Sequence, residues 1–485
     1  MLQKHLRLIL IYAVVAVAFT KSVHAQGYEI KIKVNGLQDT LCYLANYYGD
    51  KQYIKDSAMA NSYGNIIFKG NEPLPGGIYL FVFPNKTYFE LLVDKTQFFS
   101  LECDQFDAIN TMKIKGSQEN TDFYNYLQFI GGKSKQMESL NAEKSRLTAE
   151  NKPADEIINQ IIAVDSSVID YKNNYIRTNP KSFLAAIYNA SKDVTIPDAP
   201  ILPNGAKDST FQFNYYKAHY FDNLDLSDER ILRTPIYHNK LSYYFKNLVI
   251  PSPDSLIFEC DKIVSKARTN KETFKYVVWY LTNTYETSQI MGLDAVFVNM
   301  VTKYYTKDQA TWVDATTLYK IQDRASILGP ILIGKQAKNL ILADTSGNYQ
   351  SMYNINSPFT VLLFWDPDCG HCKKSVPKVK AFYEKAKNKG LQVYSINTAV
   401  EEQKWKDYVK ENKLDWINVA DLKTQNNFRH EFDIVTTPQI FILDKNKKIL
   451  AKKIDEETME KILCKELDIP FIPHPKEKDD KEEHH

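Results

Sequence analysis

The 485-residue chain predicts a multidomain fold: an N-terminal antiparallel β-sandwich-like module, a central α-helical region and a C-terminal α/β domain. Three patterns support this prediction. Apolar residues alternate with polar ones early in the chain, recur at helical spacing in the middle, and form alternating strand and helix patterns near the end. A chain of this length also exceeds one ordinary hydrophobic core, so several domains are expected.

The first 25 residues have the pattern of a secretory signal peptide. Lys4 and Arg7 precede the apolar run 8–19, and Val23-His24-Ala25 resembles a small-x-small cleavage site. The run is too short to span a bilayer comfortably, which takes about 20 apolar residues. We therefore expect an exported protein of the periplasm or cell envelope, with no integral membrane segment once residues 1–25 are removed. The alternatives are an uncleaved anchor and a buried first helix.

Residues 26–116 are predicted to form the β-rich domain. Strand alternation is clearest in 28–34, and further short strands are expected at 40–44, 65–68, 78–83, 88–93 and 98–102. Turn residues separate these segments, and short strands at this spacing favour a sandwich or barrel-like module. The segment contains no catalytic constellation, so binding of a substrate or partner and a purely structural spacer are both open.

Residues 117–322 are predicted to form the helical domain. Apolar residues recur at helical spacing there, and Pro153 and Pro180 punctuate the pattern. His219 and His238 lie on aromatic helical segments without paired cysteines or HExxH spacing, so we predict no metal site.

The net charge limits the expected partners, and the cysteines bear on disulfide pairing. The formal net charge is +2 with 25% charged residues, which gives no reason to expect nucleic acid or an anionic membrane surface as a partner. Export would place the cysteines in an oxidising compartment. A bridge between Cys42 and Cys103 is open, although scattered cysteines are more often small buried apolar residues. Four of the six are scattered: Cys42, Cys103, Cys260 and Cys464.

The C-terminal region contains the local motif Cys369-Gly370-His371-Cys372. An apolar run, 361–364, predicts a buried strand before it, and a helical pattern follows. N–H groups in the first turn of a helix have no helical partners, and the helix dipole adds positive charge there. Both effects would stabilise a thiolate at Cys369, which makes it the expected attacking sulfur. Cys372, one turn inward, is expected to resolve the mixed disulfide.

Residues from about 327 to 467 resemble the thioredoxin-fold domain of the TlpA-like envelope thiol–disulfide oxidoreductases. The resemblance rests on four features: Phe364-Trp365, the Cys369–Cys372 motif, Pro377, and Thr436-Thr437-Pro438-Gln439 leading into Ile440-Phe441-Ile442-Leu443-Asp444. The upstream regions resemble accessory modules found before such domains in bacterial envelope proteins, which supports architecture only. We place the thioredoxin-like domain at 323–469 and a disordered charged tail at 470–485.

The resemblance implies an enzyme that reduces or exchanges protein disulfides through its Cys-Gly-His-Cys site. The redox-active Cys369–Cys372 disulfide would serve in place of any cofactor. Expected partners are protein thiols or disulfides and an envelope electron donor or acceptor. Reductase and isomerase-like directions stay open, whereas the missing Pro-x-x-x-Thr-x-x-Cys pattern disfavours a peroxidase. The alternative is an envelope binding or assembly protein whose N-terminal modules engage a partner, with an auxiliary redox domain.

The resemblance also implies that Thr437-Pro438 is a cis-proline beside the cysteines. A cis peptide bond is nearly confined to X-Pro and marks a fixed turn. The backbone of Thr437, held opposite Cys369, would pair with an extended substrate segment.

Side chains around the cysteines are expected to modulate the site: Trp365, Asp368, Gly370 and His371. The imidazole of His371 would favour the thiolate and make the couple more oxidising, whereas the charge of Asp368 would raise the thiol pKa. Leu363 stands where thioredoxins usually have a buried carboxylate, and Ser375 where TlpA-like reductases often have a glutamate. Neither pattern therefore supplies a proton acceptor for Cys372.

Overall fold

The computed structural model describes residues 27–473. The predicted signal peptide and residues 474–485 of the predicted tail lie outside the described residues. The described chain divides into two units. One extends to Val249 and includes Ser265–Tyr276, and the other holds Ile250–Val264 and the chain from Val277 onward. The region 117–322, which the sequence pattern predicts as one helical domain, is thus shared between the two units.

The first unit begins with two four-stranded sheets, ordered β4-β1-β7-β8 and β3-β2-β5-β6. Strand β1 pairs with β7 in parallel, while the other pairs are antiparallel. The rings of Phe68 and Phe81 meet between the two sheets, with centroids 6.2 Å apart. The strands are β1 (Tyr28–Asn35), β2 (Leu41–Tyr48), β3 (Lys51–Met59), β4 (Asn65–Gly70), β5 (Gly77–Val82), β6 (Tyr88–Val93), β7 (Phe98–Asp104) and β8 (Lys113–Lys115).

Helices make up the rest of the first unit. A side-chain contact fixes the start of α2 to the sheet: Asn120 accepts from the Leu92 N–H and donates to the Leu92 carbonyl, both at 2.7 Å. Leu92 lies on the edge strand β6, so this amide acts as a further strand partner. The helices are α1 (Ala108–Thr111), α2 (Gln118–Ala149), α3 (Asp155–Thr178), α4 (Phe183–Ala190), α5 (Phe211–His219), α6 (Glu229–Leu232) and α7 (Pro235–Tyr243), followed by a π-helical turn, Tyr244–Leu248.

Two helices, α8 (Pro253–Ala267) and α9 (Lys271–Glu286), contribute residues to both units. The second unit then continues with α10 (Asp294–Tyr304) and α11 (Ala315–Leu328) before its α/β domain. No helix among residues 27–473 is long and apolar enough to cross a membrane.

The α/β domain is built on a seven-stranded sheet ordered β10-β9-β13-β12-β11-β14-β15. The central strand β11 runs parallel to β12 and antiparallel to β14. The fold class predicted from the sequence is therefore confirmed. The elements are β9 (Ile341–Asp344), β10 (Tyr349–Ser351), β11 (Phe359–Trp365), α12 (Gly370–Ala386), β12 (Leu391–Asn397), α13 (Glu402–Glu411), β13 (Ile417–Ala420), α14 (Phe428–Glu431), β14 (Gln439–Asp444), β15 (Ile449–Ile454) and α15 (Glu456–Glu466).

Strand pairing brings two distant segments to one end of this sheet. Strand β11 is almost wholly buried and ends at Trp365, just before the cysteine motif. Phe364 lies opposite Gln439, the first residue of β14. The segment Thr437-Pro438, which precedes β14, is therefore placed beside the end of β11 and the start of α12.

Candidate active site

Cys369 caps the N-terminus of α12. Its sulfur accepts a hydrogen bond from the backbone N–H of Cys372, with 3.4 Å between N and Sγ. The same thiol donates to the backbone carbonyl of Thr437, also at 3.4 Å. The Cys369 sulfur thus contacts both the first turn of α12 and the segment before β14, and it is partly exposed.

The pKa values of the two cysteines are shifted in opposite directions. Partial burial acts to raise the pKa of Cys369, but hydrogen bonds from the backbone N–H groups of Cys372 and His371 and from the Cys372 thiol outweigh it. The pKa of Cys369 is therefore lowered. Cys372 is only 1% exposed, and this burial raises its pKa to about 12. Of the two thiols, Cys369 therefore loses its proton more readily.

The peptide bond between Thr437 and Pro438 is cis. Both residues line a cleft of about 660 Å³ together with His371, Arg324 and Glu456. The exposed imidazole of His371 and the segment before β14 therefore line the same cleft, and Thr437 in that segment touches the Cys369 sulfur.

The other predicted modulating residues occupy different environments. Gly370 is exposed, and a Cβ at this position would meet no atom within 4 Å. The exposed carboxylate of Asp368 forms an ion pair with Lys404, with 2.9 Å between Nζ and Oδ2. Trp365 is fully buried and packs on Tyr408, with ring centroids 4.9 Å apart. Any influence of Trp365 on the site would therefore act through the core.

A carboxylate that sequence reasoning missed lies at the Ser375 position. The buried Ser375 hydroxyl donates to Oε2 of Glu456 at 3.1 Å, and Lys378 pairs with Oε1 at 2.9 Å. Burial acts to raise the pKa of Glu456, but the hydrogen bond and charge of Lys378 bring it below its ordinary value. The contact joins residues 81 positions apart, and the only available signal was the absence of a glutamate at Ser375.

The two histidines of the helical region have polar partners of their own. His219 pairs with Asp222 at 2.6 Å, and His238 contacts the Tyr276 hydroxyl at 2.8 Å. Across residues 27–473, no group of three His, Cys, Asp or Glu side chains is arranged to hold a metal ion. Cys42 and Cys103 are buried free thiols.

Comparison with known protein families assigns three regions. Residues 358–449 match a family model described as thioredoxin-like. Residues 28–123 and 133–329 match two domains of unknown function, DUF4369 and DUF5106. The thioredoxin-like match contains both cysteines and the Thr437-Pro438 segment.

Curated relatives are similar to about a quarter of the chain. The thiol-disulfide oxidoreductase ResA of a Bacillus cereus strain is 28% identical over 130 residues, which cover 27% of this chain and 74% of the relative. The sporulation thiol-disulfide oxidoreductase A of Bacillus subtilis (strain 168) is 31% identical over 106 residues, which cover 21% of this chain and 63% of the relative.

Solved structures are also similar to parts of the chain. A domain of a possible thiol-disulfide isomerase from Cytophaga hutchinsonii is 38% identical and covers 28% of this chain and 94% of its own, with a TM-score of 0.27. A thioredoxin-like protein from Bacteroides caccae is 20% identical and covers 56% of this chain and 98% of its own, with a TM-score of 0.43.

The family model and the sequence relatives agree in type: the model is described as thioredoxin-like, and the relatives are named thiol-disulfide oxidoreductases. The match to the family model surrounds the cysteine motif. The C-terminal part of the chain is thus a thioredoxin-like domain, and the protein is an enzyme of the thiol–disulfide oxidoreductase type.

Proposed function

We propose that the protein reduces or exchanges disulfides of protein substrates, with Cys369 as nucleophile and Cys372 as resolving thiol. One observation carries the proposal: a partly exposed thiol of lowered pKa caps a helix and touches the carbonyl of Thr437. An exposed thiolate attacks disulfides, whereas a buried neutral thiol does not. The Thr437 segment would align an extended substrate next to the sulfur.

The exchange has two steps. The Cys369 thiolate attacks one sulfur of the substrate disulfide, the substrate S–S bond breaks, and the departing substrate thiolate takes up a proton. Cys372 then loses its proton and attacks Cys369, which releases the second substrate thiol and leaves a Cys369–Cys372 disulfide. The substrate gains two electrons and the enzyme loses two. A dithiol donor restores the reduced pair, and the reverse sequence oxidises a substrate dithiol.

The first step prepares Cys372 for the second. Burial is the main cause of its high pKa, and the neighbouring Cys369 adds to it through a hydrogen bond and its negative charge. The mixed disulfide removes that charge. The pKa of Cys372 therefore falls when its thiolate is needed.

We further propose that the reaction uses the redox-active Cys369–Cys372 disulfide and no cofactor. We also propose that the exchange takes place outside the cytoplasm. The signal-peptide pattern in residues 1–25 supports export. Partners would be protein thiols or disulfides and an electron donor or acceptor of the cell envelope. His371, Asp368, Gly370 and Trp365 are proposed to tune the couple.

The test is a side-by-side assay with the full chain lacking residues 1–25. Dithiothreitol drives turnover, and the substrates are a disulfide-bonded peptide and hydrogen peroxide. We expect saturable acceleration with the peptide and peroxide consumption no faster than with dithiothreitol alone. Peptide reduction no faster than with dithiothreitol alone would refute the proposal. Preferential peroxide consumption would indicate a peroxidase instead.

A further inference from the structure

Helix α11 contributes a charged side chain to the active-site cleft. Arg324 lines this cleft together with His371, Thr437 and Pro438. It lies upstream of residues 358–449, which match the thioredoxin-like family model. The cleft wall is thus completed by a residue from outside the matched domain.

Arg324 binds a buried carboxylate. Its Nη1 lies 2.6 Å from Oδ1 of Asp433, which is 5% exposed, and Lys453 pairs with the other oxygen, Oδ2. Burial acts to raise the pKa of Asp433, but hydrogen bonds from both cations bring it below its ordinary value. Asp433 is therefore a charged anchor held from two sides.

Asp433 begins the segment that presents Thr437. Its φ of +52° is left-handed, a conformation that aspartate tolerates better than most residues. Ile434, the next residue, is still buried, and the chain reaches solvent at Val435, which is 79% exposed. Strand β14 fixes the far end of the segment from Gln439 onward. The near end is fixed at Asp433, where Arg324 and Lys453 converge.

We propose that Arg324 is a positioning residue for protein substrates: through Asp433 it holds the 433–438 segment in the orientation that docks an extended substrate chain beside Cys369. This inference rests on the proposed function and deepens it. It gives the helix before the thioredoxin-like match a role in substrate binding. A small aromatic disulfide reaches the sulfur without docking on Thr437, so its reaction does not depend on Arg324.

The test compares two disulfides on the full chain lacking residues 1–25. For Arg324→Gln we expect the KM for a disulfide-bonded peptide to rise roughly tenfold, which corresponds to about 1.4 kcal/mol of lost binding. The kcat for the peptide and the rate with 5,5′-dithiobis(2-nitrobenzoate) should stay at wild-type values. Arg324→Lys keeps one charged hydrogen bond to Asp433, so it should raise the peptide KM less than Arg324→Gln does.

Lys338→Met is the matched control. Lys338 pairs with Glu431, two residues before Asp433, but it does not line the cleft. Its loss should leave the peptide KM and the rate with 5,5′-dithiobis(2-nitrobenzoate) unchanged. Arg324→Gln must fold, as judged by its thermal transition. If it does not, the test uses Arg324→Lys, whose peptide KM should exceed the wild-type value by less than about tenfold.

The outcomes separate the two proposals. A wild-type protein that turns over neither disulfide would overturn the proposed function itself. A wild-type peptide KM in a folded Arg324→Gln protein would overturn only the role of Arg324. An equal fall in the reaction rate with both disulfides would overturn it as well. Where Arg324→Lys decides, a wild-type peptide KM in that variant would do the same.

Discussion

Cys369→Ser is expected to lower dithiothreitol-driven reduction of a disulfide-bonded peptide to the uncatalysed rate. A serine hydroxyl stays protonated at neutral pH, whereas the helix N-terminus holds the cysteine pKa below its ordinary value. The measurement is the initial rate at saturating peptide for wild type and variant.

Cys464→Ala is the control for this loss. Cys464 is buried in the core of the same domain, and burial raises its pKa. A folded Cys464→Ala protein should keep the wild-type rate. Unchanged turnover in Cys369→Ser would show that another group carries the reaction.

The second large effect is the difference in reactivity between the two cysteines. Because the pKa of Cys369 is lowered, its alkylation rate should reach half of its plateau at a lower pH than the rate of an ordinary thiol does. The pKa of Cys372 is about 12 in the reduced protein. At pH 7 its thiolate fraction is then only about 10⁻⁵, so its alkylation rate should still rise at pH 10.

A short pulse of iodoacetamide on the reduced full chain, followed by peptide mass spectrometry from pH 5 to 10, measures both profiles. Cys260 is an internal reference, because burial raises its pKa well above the ordinary value. It should stay unmodified in the folded protein. Equal alkylation of Cys369 and Cys372 at pH 7 would contradict the assignment of nucleophile and resolving thiol.

The sequence predicts those parts of the molecule that local patterns encode. Alternation identified β1, whose apolar residues are buried, but strand β3 was missed because none of its side chains is buried. The parallel pairing of β1 with β7 is set by contacts between distant segments, so no local pattern reports it. The cysteine motif was visible because a strand, a motif and a helix are contiguous in the chain.

The rest of the candidate site depends on long-range contacts. Glu456 reaches Ser375 from the last helix, and Arg324 reaches Asp433 from a helix 109 residues earlier. Neither pair has a spacing that predicts it. Family patterns marked the Ser375 position as a departure, but only the fold shows which carboxylate lies there.

The most direct measurement of the central claim is trapping with Cys372→Ser. The reduced variant is incubated with a disulfide-bonded peptide, quenched with acid and analysed by non-reducing mass spectrometry. Our account predicts a stable adduct of one peptide strand on Cys369, because the resolving thiol is absent. The double variant Cys369→Ser, Cys372→Ser should form none. Absence of the Cys369 adduct, or an adduct on another cysteine, would contradict the assignment of Cys369 as the attacking sulfur.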